Sequence, residues 1–225
     1  MSHDIAAEIR RLHSELPEGV RLVAVSKFHP AEAIREAYDA GQRLFGESRV
    51  NELLEKEAVL PSDINWHFIG HLQTNKVRRL MGKVSMIESV DTERLLELID
   101  SESRRAGVLT RVLMQVHVAQ EETKFGFSPE EVIDYFSRHA FCTLTNTHIC
   151  GVMGMASNTD DMERVRADFS AIADVFTRVR QICGDELLGF DVISMGMSGD
   201  WPIAVAEGSN LVRVGTAIFG ERQYI

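Results

Sequence analysis

The amino-acid sequence predicts an α/β fold in which eight parallel strands close into a single (β/α)8 TIM barrel. The first observation is that short runs rich in Val, Ile and Leu alternate with helical stretches along the whole chain. The second is that no linker rich in Gly, Ser or Pro interrupts this alternation. We therefore expect one domain over residues 1–225. A doubly wound open sheet is the alternative if one of the short runs is not a strand.

Eight segments are predicted strands, because each is a short and mainly apolar run that lies between helical stretches. They are Arg21–Ser26, Arg43–Gly46, Trp66–Gly70, Val84–Ser89, Arg111–Val118, His148–Met153, Phe190–Ser194 and Leu211–Gly215. Strands that are separated by helices pair in parallel, and eight of them close naturally into a barrel.

Helical patterns precede the first strand and follow the others in turn. An extra helix at residues 2–15 comes first. The others lie at Ala31–Ala40, Val50–Ala58, Thr74–Leu80, Thr92–Ala106, Pro129–His139, Asp160–Ile182 and Pro202–Ala206, and the segment Ala217–Tyr224 closes the fold.

Composition excludes several classes of protein. The net charge of −10 argues against nucleic acid as the main partner, since phosphate binding needs a basic face. No apolar stretch approaches the length of a membrane span, and the first residues show no signal-peptide core. The three cysteines, Cys142, Cys150 and Cys183, are an odd number without Cys-x-x-Cys spacing, which indicates free thiols in a reducing compartment. We therefore expect a cytoplasmic protein.

Lys27 is the residue around which the functional hypothesis is built. It directly follows the first predicted strand, two residues before His29-Pro30. Desolvation of an ammonium is costly, so a lysine at the mouth of a buried strand is a candidate Schiff-base nucleophile. The alternative is that its side chain extends from the edge of the sheet into water.

Candidate functional side chains follow most of the predicted strands, where a barrel places its functional groups. In chain order they include Glu47, Ser48, His71, Ser89, Asp91, Lys124, Met155 and Ser157. Together with Lys27 they predict a functional site at the carboxyl end of the barrel.

Two loops predict a phosphate site. The stretch Ser194-Met195-Gly196-Met197-Ser198-Gly199-Asp200-Trp201-Pro202 follows the seventh strand, and Val212-Arg213-Val214-Gly215-Thr216 ends the eighth. In barrels, the loops after strands 7 and 8 commonly bind phosphate through backbone N–H groups. We predict phosphate contacts from Ser198, Gly199, Gly215 and Thr216. The alternative is that these glycines only form tight turns.

Arg213 alternates with apolar residues, so its side chain is predicted to point into the barrel mouth. A guanidinium only donates hydrogen bonds, either in a structural ion pair or to a ligand acceptor. An amine, a phosphate loop and an arginine between them match pyridoxal 5′-phosphate (PLP). Lys27 would take its aldehyde and Arg213 its ring nitrogen.

Over nearly its whole length, the chain resembles the pyridoxal phosphate homeostasis protein family. The matching segments are Val23-Ala24-Val25-Ser26-Lys27, Phe45-Gly46-Glu47, Trp66-His67-Phe68-Ile69-Gly70-His71-Leu72-Gln73-Thr74-Asn75-Lys76 and Gly151-Val152-Met153-Gly154-Met155-Ala156, with the two phosphate loops above. The resemblance implies an alanine-racemase-like barrel of fold type III that carries PLP on Lys27. It also implies a monomer, with PLP-dependent apoenzymes as candidate partners.

A weaker resemblance to the barrel domain of alanine racemase adds residue roles. It implies that Arg213 faces the pyridine nitrogen and that Ser198, Gly215 and Thr216 hold the phosphate. Met155 would lie near the cofactor ring, where the racemase has a histidine. One departure is that the family has Gly-Glu-Asn where this chain has Gly46-Glu47-Ser48, so we leave Ser48 outside the site.

Three functions remain open from the sequence. The resemblance implies a PLP-binding protein that stores, buffers or transfers the cofactor and is not a dedicated enzyme. A PLP-dependent racemase of low activity is the second function. Racemisation needs a second base, and the barrel is expected to use the chain to Ile225. The candidates for that base are Lys124, His71 and Tyr224. The third is a class I aldolase-like barrel with a Schiff base on Lys27, which would be colourless where a PLP protein is yellow.

Two groups of metal-ligating residue types are present, and we predict that neither binds metal. His67 and His71 have helical spacing but are expected on a strand and its loop, and no glutamate follows His67. Cys142, His148 and Cys150 match no standard zinc spacing.

Overall fold

A computed structural model describes residues 4–119 and 125–221. In these residues, eight parallel strands form a closed barrel in which each strand pairs with the next and the last pairs with the first. The pairing that closes the barrel joins Arg21 to Leu211 and Ala24 to Val214. The predicted barrel is therefore confirmed, and the open-sheet alternative is wrong.

The strands of the described residues lie close to the predicted segments. Their bounds are β1 Arg21–Val25, β2 Leu44–Glu47, β3 Asn65–Phe68, β4 Met86–Val90, β5 Thr110–Val116, β6 Thr147–Gly154, β7 Val192–Ser194 and β8 Leu211–Val214. β1 ends one residue before the predicted Ser26, and Phe28 then takes a left-handed conformation with φ of 68°. This turn carries the backbone out of the sheet directly after Lys27.

The helices alternate with the strands. Their bounds are α1 Ile5–Glu15, α2 Ala31–Asp39, α3 Val50–Glu57, α4 Val77–Leu80, α5 Glu93–Ala106, α6 Pro129–Ser137, α7 Met162–Cys183, α8 Trp201–Ala206 and α9 Thr216–Phe219. The predicted helix at Thr74–Leu80 divides into a 3-10 turn, Thr74–Lys76, and α4. The end of the predicted closing segment, residues 222–225, lies outside the described residues. In the part of the chain that is described, no helix is long and apolar enough to cross a membrane.

Local sequence signals fix several helix ends. Ser128 caps α6 by accepting a hydrogen bond from the backbone N–H of Glu131, whose carboxylate accepts one from the backbone N–H of Ser128. Pro129 occupies the first turn, where a missing N–H costs nothing. α5 ends at Gly107, which adopts the left-handed conformation that such helix ends favour.

Alternation along the strands gives the protein two apolar layers. One face of each strand packs against the surrounding helices, as Phe45, Phe68 and Ile87 do. The other face fills the barrel interior with Val23, Val25, Met86, Leu113, Cys150, Met153, Val192 and Leu211. Each such buried side chain contributes roughly 1.5–3 kcal/mol of transfer free energy.

A bulge in β6 changes which of its residues face the interior. Pairing with β5 shifts from Val112–Ile149 to Leu113–Gly151, so β6 contains one extra residue. Gly151 has φ of 153°, and a Cβ there would lie 1.8 Å from the carbonyl oxygen of Val192. A one-residue shift exchanges the two faces of a strand. Cys150 faces inward before the bulge, and Met153 faces inward after it.

Candidate functional site

A cavity of about 230 Å³ opens at the carboxyl ends of β1, β6, β7 and β8. Its lining includes all of the residues predicted for the site, namely Lys27, Met155, Ser198, Gly199, Arg213, Gly215 and Thr216. Residues from four separate strand ends therefore converge on one space, as the barrel topology requires.

Lys27 reaches this cavity because of strand alternation. Val23 and Val25 face the barrel interior, and Lys27 is next in the same period. Its side chain is half-buried. The amine thus lies at the boundary between the apolar interior and the mouth, and does not extend from the outer edge of the sheet.

The backbone on both sides of Lys27 is held by one buried lysine and two glutamates. The Nζ of Lys56 donates to the carbonyl oxygen of Ser26 at 2.8 Å. The same Nζ donates to Oε1 of Glu47 at 2.6 Å and to Oε1 of Glu52 at 2.7 Å. Glu52 in turn accepts a 2.6 Å hydrogen bond from the backbone N–H of Phe28. Lys56 and Glu52, both on α3, therefore fix the residue before Lys27 and the residue after it.

Glu47 is the most perturbed member of this group. Its carboxylate is fully buried, and its Oε2 has no hydrogen-bond partner. Burial raises the pKa of Glu47 to about 7, although the charge of Lys56 and hydrogen bonds from Lys56 and Ser26 oppose the rise. The Ser26 hydroxyl donates to Oε1 at 2.7 Å. Ionised Glu47 therefore carries a desolvation cost within the native structure.

Arg213 lies at the inner wall of the cavity and is 5% exposed. Its Nη1 donates to the Ser194 hydroxyl at 2.5 Å, and its Nη2 donates to the carbonyl oxygen of Gly154 at 2.9 Å. Burial lowers the pKa of Arg213, and the negative charge of Glu88 opposes this effect. A guanidinium carries more N–H donors than these two bonds use, so Arg213 can also donate into the cavity.

Glu88 provides the counter-charge for Arg213 inside the barrel. Its Oε2 accepts from the Ser194 hydroxyl at 2.5 Å and lies 3.8 Å from Nη1 of Arg213. Its Oε1 lies 2.5 Å from Nδ1 of His67. Burial alone would raise the pKa of Glu88. The pKa is nevertheless lowered, because burial is outweighed by the hydrogen bond and charge of His67, the charge of Arg213 and the hydrogen bond from Ser194. No motif in the sequence marked Glu88 as this partner.

The two glycine-containing loops meet at Ser198. Its hydroxyl oxygen accepts from the backbone N–H of Gly215 at 3.3 Å and from that of Ala217 at 3.4 Å. Gly215 also lets β8 approach β1, because a Cβ there would lie 3.2 Å from the carbonyl oxygen of Val25. Gly199 has open space where a side chain would stand, and Thr216 is exposed. Hydroxyl and N–H groups thus lie together at one end of the cavity, and the described lining residues include no carboxylate.

Met155 lines the cavity because of the β6 bulge. With an unbroken alternation, Cys150 would share its face with residues 152 and 154, whereas the bulge places Met153 and Met155 on the inward side. A thioether can pack against a flat ring without adding charge.

Other residues considered in the sequence lie elsewhere. The exposed His71 contacts Asp91 through Nδ1 at 2.8 Å and stacks on Phe125 with 3.8 Å between ring centroids, away from the Lys27 cavity. Ser48 lines a separate cavity of about 1040 Å³. Lys124 and Tyr224 lie outside the described residues. Across residues 4–119 and 125–221, no three His, Cys, Asp or Glu side chains are grouped as metal ligands.

Several residues of the cavity were not predicted. Its lining also contains Val25, His29, Ile69, Met153 and Met197. The period-2 pattern of β1 signals Val25 and Lys27, but His29 lies beyond the strand, where periodicity gives no information. The His29 ring stacks on Phe219 of α9, with 5.1 Å between centroids.

Comparison with known proteins adds independent information. The family model described as alanine racemase, N-terminal domain, matches residues 2–223. A pyridoxal phosphate homeostasis protein of Aquifex aeolicus is 38% identical over 205 residues, which cover 91% of this chain and 88% of the relative. The human protein of the same name is 39% identical over 216 residues, covering 91% of this chain and 77% of the relative.

A solved structure shows the same fold with a ligand. PipY of Synechococcus elongatus, with PLP bound, has 38% sequence identity to this chain and a TM-score of 0.87. The match covers 96% of this chain and 100% of the PipY chain.

Proposed function

Since the chain belongs to the family of the pyridoxal phosphate homeostasis proteins, we propose that it binds PLP as a Schiff base on Lys27 and stores, buffers or transfers the cofactor. The observation that carries this proposal is the convergence of an amine, a buried guanidinium and a hydroxyl-and-amide loop on one cavity. The bound PLP of PipY, a relative of 38% identity, supports the choice of ligand.

The residues of the cavity fit the three functional groups of PLP. Such a cofactor supplies an aldehyde, a pyridine ring nitrogen and a phosphate. Lys27 offers the amine, Arg213 offers N–H donors, and Ser198, Gly199, Gly215 and Thr216 surround the end where N–H and hydroxyl groups meet. Met155 offers an apolar contact for the ring.

The covalent step that we propose is reversible. The nitrogen of Lys27 bonds to the aldehyde carbon, and the aldehyde oxygen leaves as water. Because water can reverse the step, the cofactor can be released intact. The Ser26 and Phe28 contacts fix the backbone from which the lysine side chain extends, so the amine is held within reach of its partner.

Two features favour a carrier over a racemase. The guanidinium of Arg213, with Glu88 at 3.8 Å as its counter-charge, stays protonated. Placed next to the PLP ring nitrogen, it can only donate a hydrogen bond, so the ring nitrogen accepts that bond and stays unprotonated. A neutral ring withdraws electrons weakly. Racemisation also needs a proton-exchanging group on each side of the substrate carbon. Among the described lining residues, only Lys27 and His29 have side chains of the types that usually act as general acids or bases, and both come from the loop after β1.

We further propose that residues 1–225 act as one cofactor-binding domain and work as a monomer. PLP-dependent apoenzymes are the proposed recipients of the cofactor. The predicted cytoplasmic location rests on the three cysteines, all of which are free, and stays a prediction.

Borohydride reduction followed by peptide mass mapping tests the proposal. The protein is incubated with PLP, its visible absorbance is recorded, and the reduced protein is digested. We expect a yellow protein with a pyridoxyl adduct on Lys27 and a colourless, folded Lys27→Ala variant. Lys83→Ala is the control, because Lys83 is an exposed lysine paired with Glu57. An adduct on another lysine alone, or colour retained by Lys27→Ala, would contradict the site.

Amino-acid turnover distinguishes a carrier from an enzyme. We expect the PLP-loaded protein to convert L-alanine to D-alanine no faster than free PLP at the same concentration. A faster rate that disappears in Lys27→Ala would instead establish the racemase alternative.

A further inference from the structure

A second cavity lies at the opposite end of the barrel, and we propose that it binds a small polyanion that carries phosphate or carboxylate groups. This amino-end cavity has a volume of about 510 Å³, which is within the usual range for small-molecule sites. The residues that line it come mainly from the starts of β1 to β5 and the segments before them. The inference rests on these residues alone and does not depend on the proposed PLP function.

The charge of the amino-end cavity is opposite to that of the protein. The chain as a whole has a net charge of −10. The described lining residues nevertheless include Arg21, Arg43, Arg111, His13 and His67 and contain no Asp or Glu. A concave surface with one sign of charge concentrates ligands of the other sign.

Two of these arginines have donor groups that the described residues leave unused. Arg21, at the start of β1, makes no side-chain hydrogen bond or ion pair within the described part of the chain. Arg111, on β5, donates through Nε to the Sγ of Cys150 at 3.2 Å. The charge of Asp191 also acts on its guanidinium, but within the described residues no hydrogen bond joins the terminal amino groups of Arg111 to a protein atom. A guanidinium fork matches the spacing of phosphate and carboxylate oxygens. Arg43 is already paired with Asp63 at 3.2 Å, so we assign it a secondary role.

His67 forms part of the inner wall of the amino-end cavity. It is 4% exposed, and its Nδ1 contacts Glu88. Its side chain lines the cavity, so an anion that enters would meet the imidazole beside the arginines.

Helix ends offer a structural explanation for part of this pattern. Helices of a barrel end near the starts of the strands, and their partial negative charge favours nearby cations. This accounts for exposed arginines on the rim. It does not account for the lack of Asp and Glu among the described residues that line the cavity.

Calorimetric titration with inorganic pyrophosphate at constant ionic strength tests the proposal. We expect the double variant Arg21→Gln/Arg111→Gln to bind pyrophosphate at least about tenfold more weakly than the wild type, because two charged contacts are removed. The control is Arg105→Gln/Arg178→Gln, which removes the same charge from exposed surface arginines and should leave binding within about twofold. A parallel titration with citrate shows whether phosphate or carboxylate groups are preferred.

A phosphate could also enter the Lys27 cavity, so a second variant separates the two sites. Ser198→Ala weakens the hydroxyl-and-amide end of that cavity and should leave the Arg21/Arg111-dependent binding unchanged. A cooperative melting transition without ligand shows that each variant is folded. The rise in melting temperature with pyrophosphate then repeats the comparison of binding. The proposal is overturned if wild type binds neither anion with a Kd below about 1 mM. It is also overturned if the Arg21/Arg111 variant binds as wild type does, or if the control loses binding equally.

Discussion

The Nζ of Lys56 lies 2.8 Å from the carbonyl oxygen of Ser26, the residue that precedes Lys27. A lysine on α3 is therefore bonded to the backbone of the loop that presents another lysine. Lys56 is 7% exposed and also contacts Glu47 and Glu52. We interpret this buried group as a support for the loop that carries Lys27, because Lys56 bonds to the backbone of Ser26 and Glu52 bonds to the backbone of Phe28.

Lys56→Met is expected to destabilise the protein by roughly 3–5 kcal/mol at pH 8, because a buried charge partner is removed while two carboxylates remain. Urea unfolding measures the change in the free energy of unfolding. Lys83→Met is the control, since the Lys83–Glu57 pair is exposed and should cost at most about 1 kcal/mol. Equal effects of the two substitutions would show that the Lys56 cluster has no special role.

The raised pKa of Glu47 predicts a pH dependence of stability. A carboxyl whose pKa rises from 4.5 to about 7 on folding binds more protons in the native state between these values. Its contribution is therefore complete below about pH 4.5 and is lost as the pH rises through 7. The loss amounts to roughly 3 kcal/mol.

Glu47→Gln should remove this part of the pH profile. The free energy of unfolding in urea is measured at pH 5 and pH 8 for wild type and for Glu47→Gln. Contributions from histidines cancel in the difference, because both proteins contain them. We expect the variant to gain roughly 3 kcal/mol relative to wild type between these values. A difference that stays constant with pH would mean that Glu47 titrates in the native protein as it does in the unfolded chain.

Gly151→Ala tests the bulge that turns Met155 toward the cavity. A Cβ at this position would lie 1.8 Å from the carbonyl oxygen of Val192, and φ is 153°. Gly107→Ala is the matched control, because Gly107 also has positive φ, of 67°, but has nothing within 4 Å of the added Cβ. We expect about 1–2 kcal/mol for Gly107→Ala, from conformation alone. Gly151→Ala should cost clearly more in the same unfolding assay, and an equal cost would show that the backbone absorbs the clash.

The sequence predicted the position of a site residue wherever strand periodicity or the order of the strands is enough to determine it. Alternation in β8 predicted an inward-facing Arg213, and the end of β1 predicted Lys27 at the barrel mouth. The order of the strands predicted that Ser198 and Gly215 would be neighbours. The structure brings all of these residues to one cavity. For Met155, position near the cavity came from the family resemblance, because simple alternation from Cys150 would have placed it on the other face of β6.

The contacts behind the site could not be predicted, because they join residues that are distant in the chain. Glu88 and Ser194 are 106 positions apart, and Lys56 and Ser26 are 30 apart. Each residue by itself reads as an ordinary polar side chain on a strand or a helix. Only closure of the barrel shows that Glu88 and Arg213 face the same interior, and that α3 packs behind the loop after β1.

The Glu88–Arg213 relationship gives a further prediction, since one buried carboxylate lies close to both the guanidinium of Arg213 and the imidazole of His67. Glu88→Gln keeps the size of the side chain but leaves the guanidinium of Arg213 buried without a counter-charge. We expect a loss of roughly 3–5 kcal/mol at pH 7, measured by urea unfolding. Glu93→Gln, which removes an exposed partner of Arg138, is the control and should cost at most about 1 kcal/mol.

Acidification distinguishes lost charge pairing from lost packing in this variant. The pKa of Glu88 is lowered in the native protein, so its contribution is present above the unfolded value of 4.5 and is lost as the pH falls below it. The gap in stability between wild type and Glu88→Gln should therefore be constant from pH 7 to about pH 5 and narrow below about pH 4.5. If the gap stayed the same at pH 4 and below, the substitution would be acting through shape, and the charge of Glu88 would not be what holds Arg213 at the wall of the cavity.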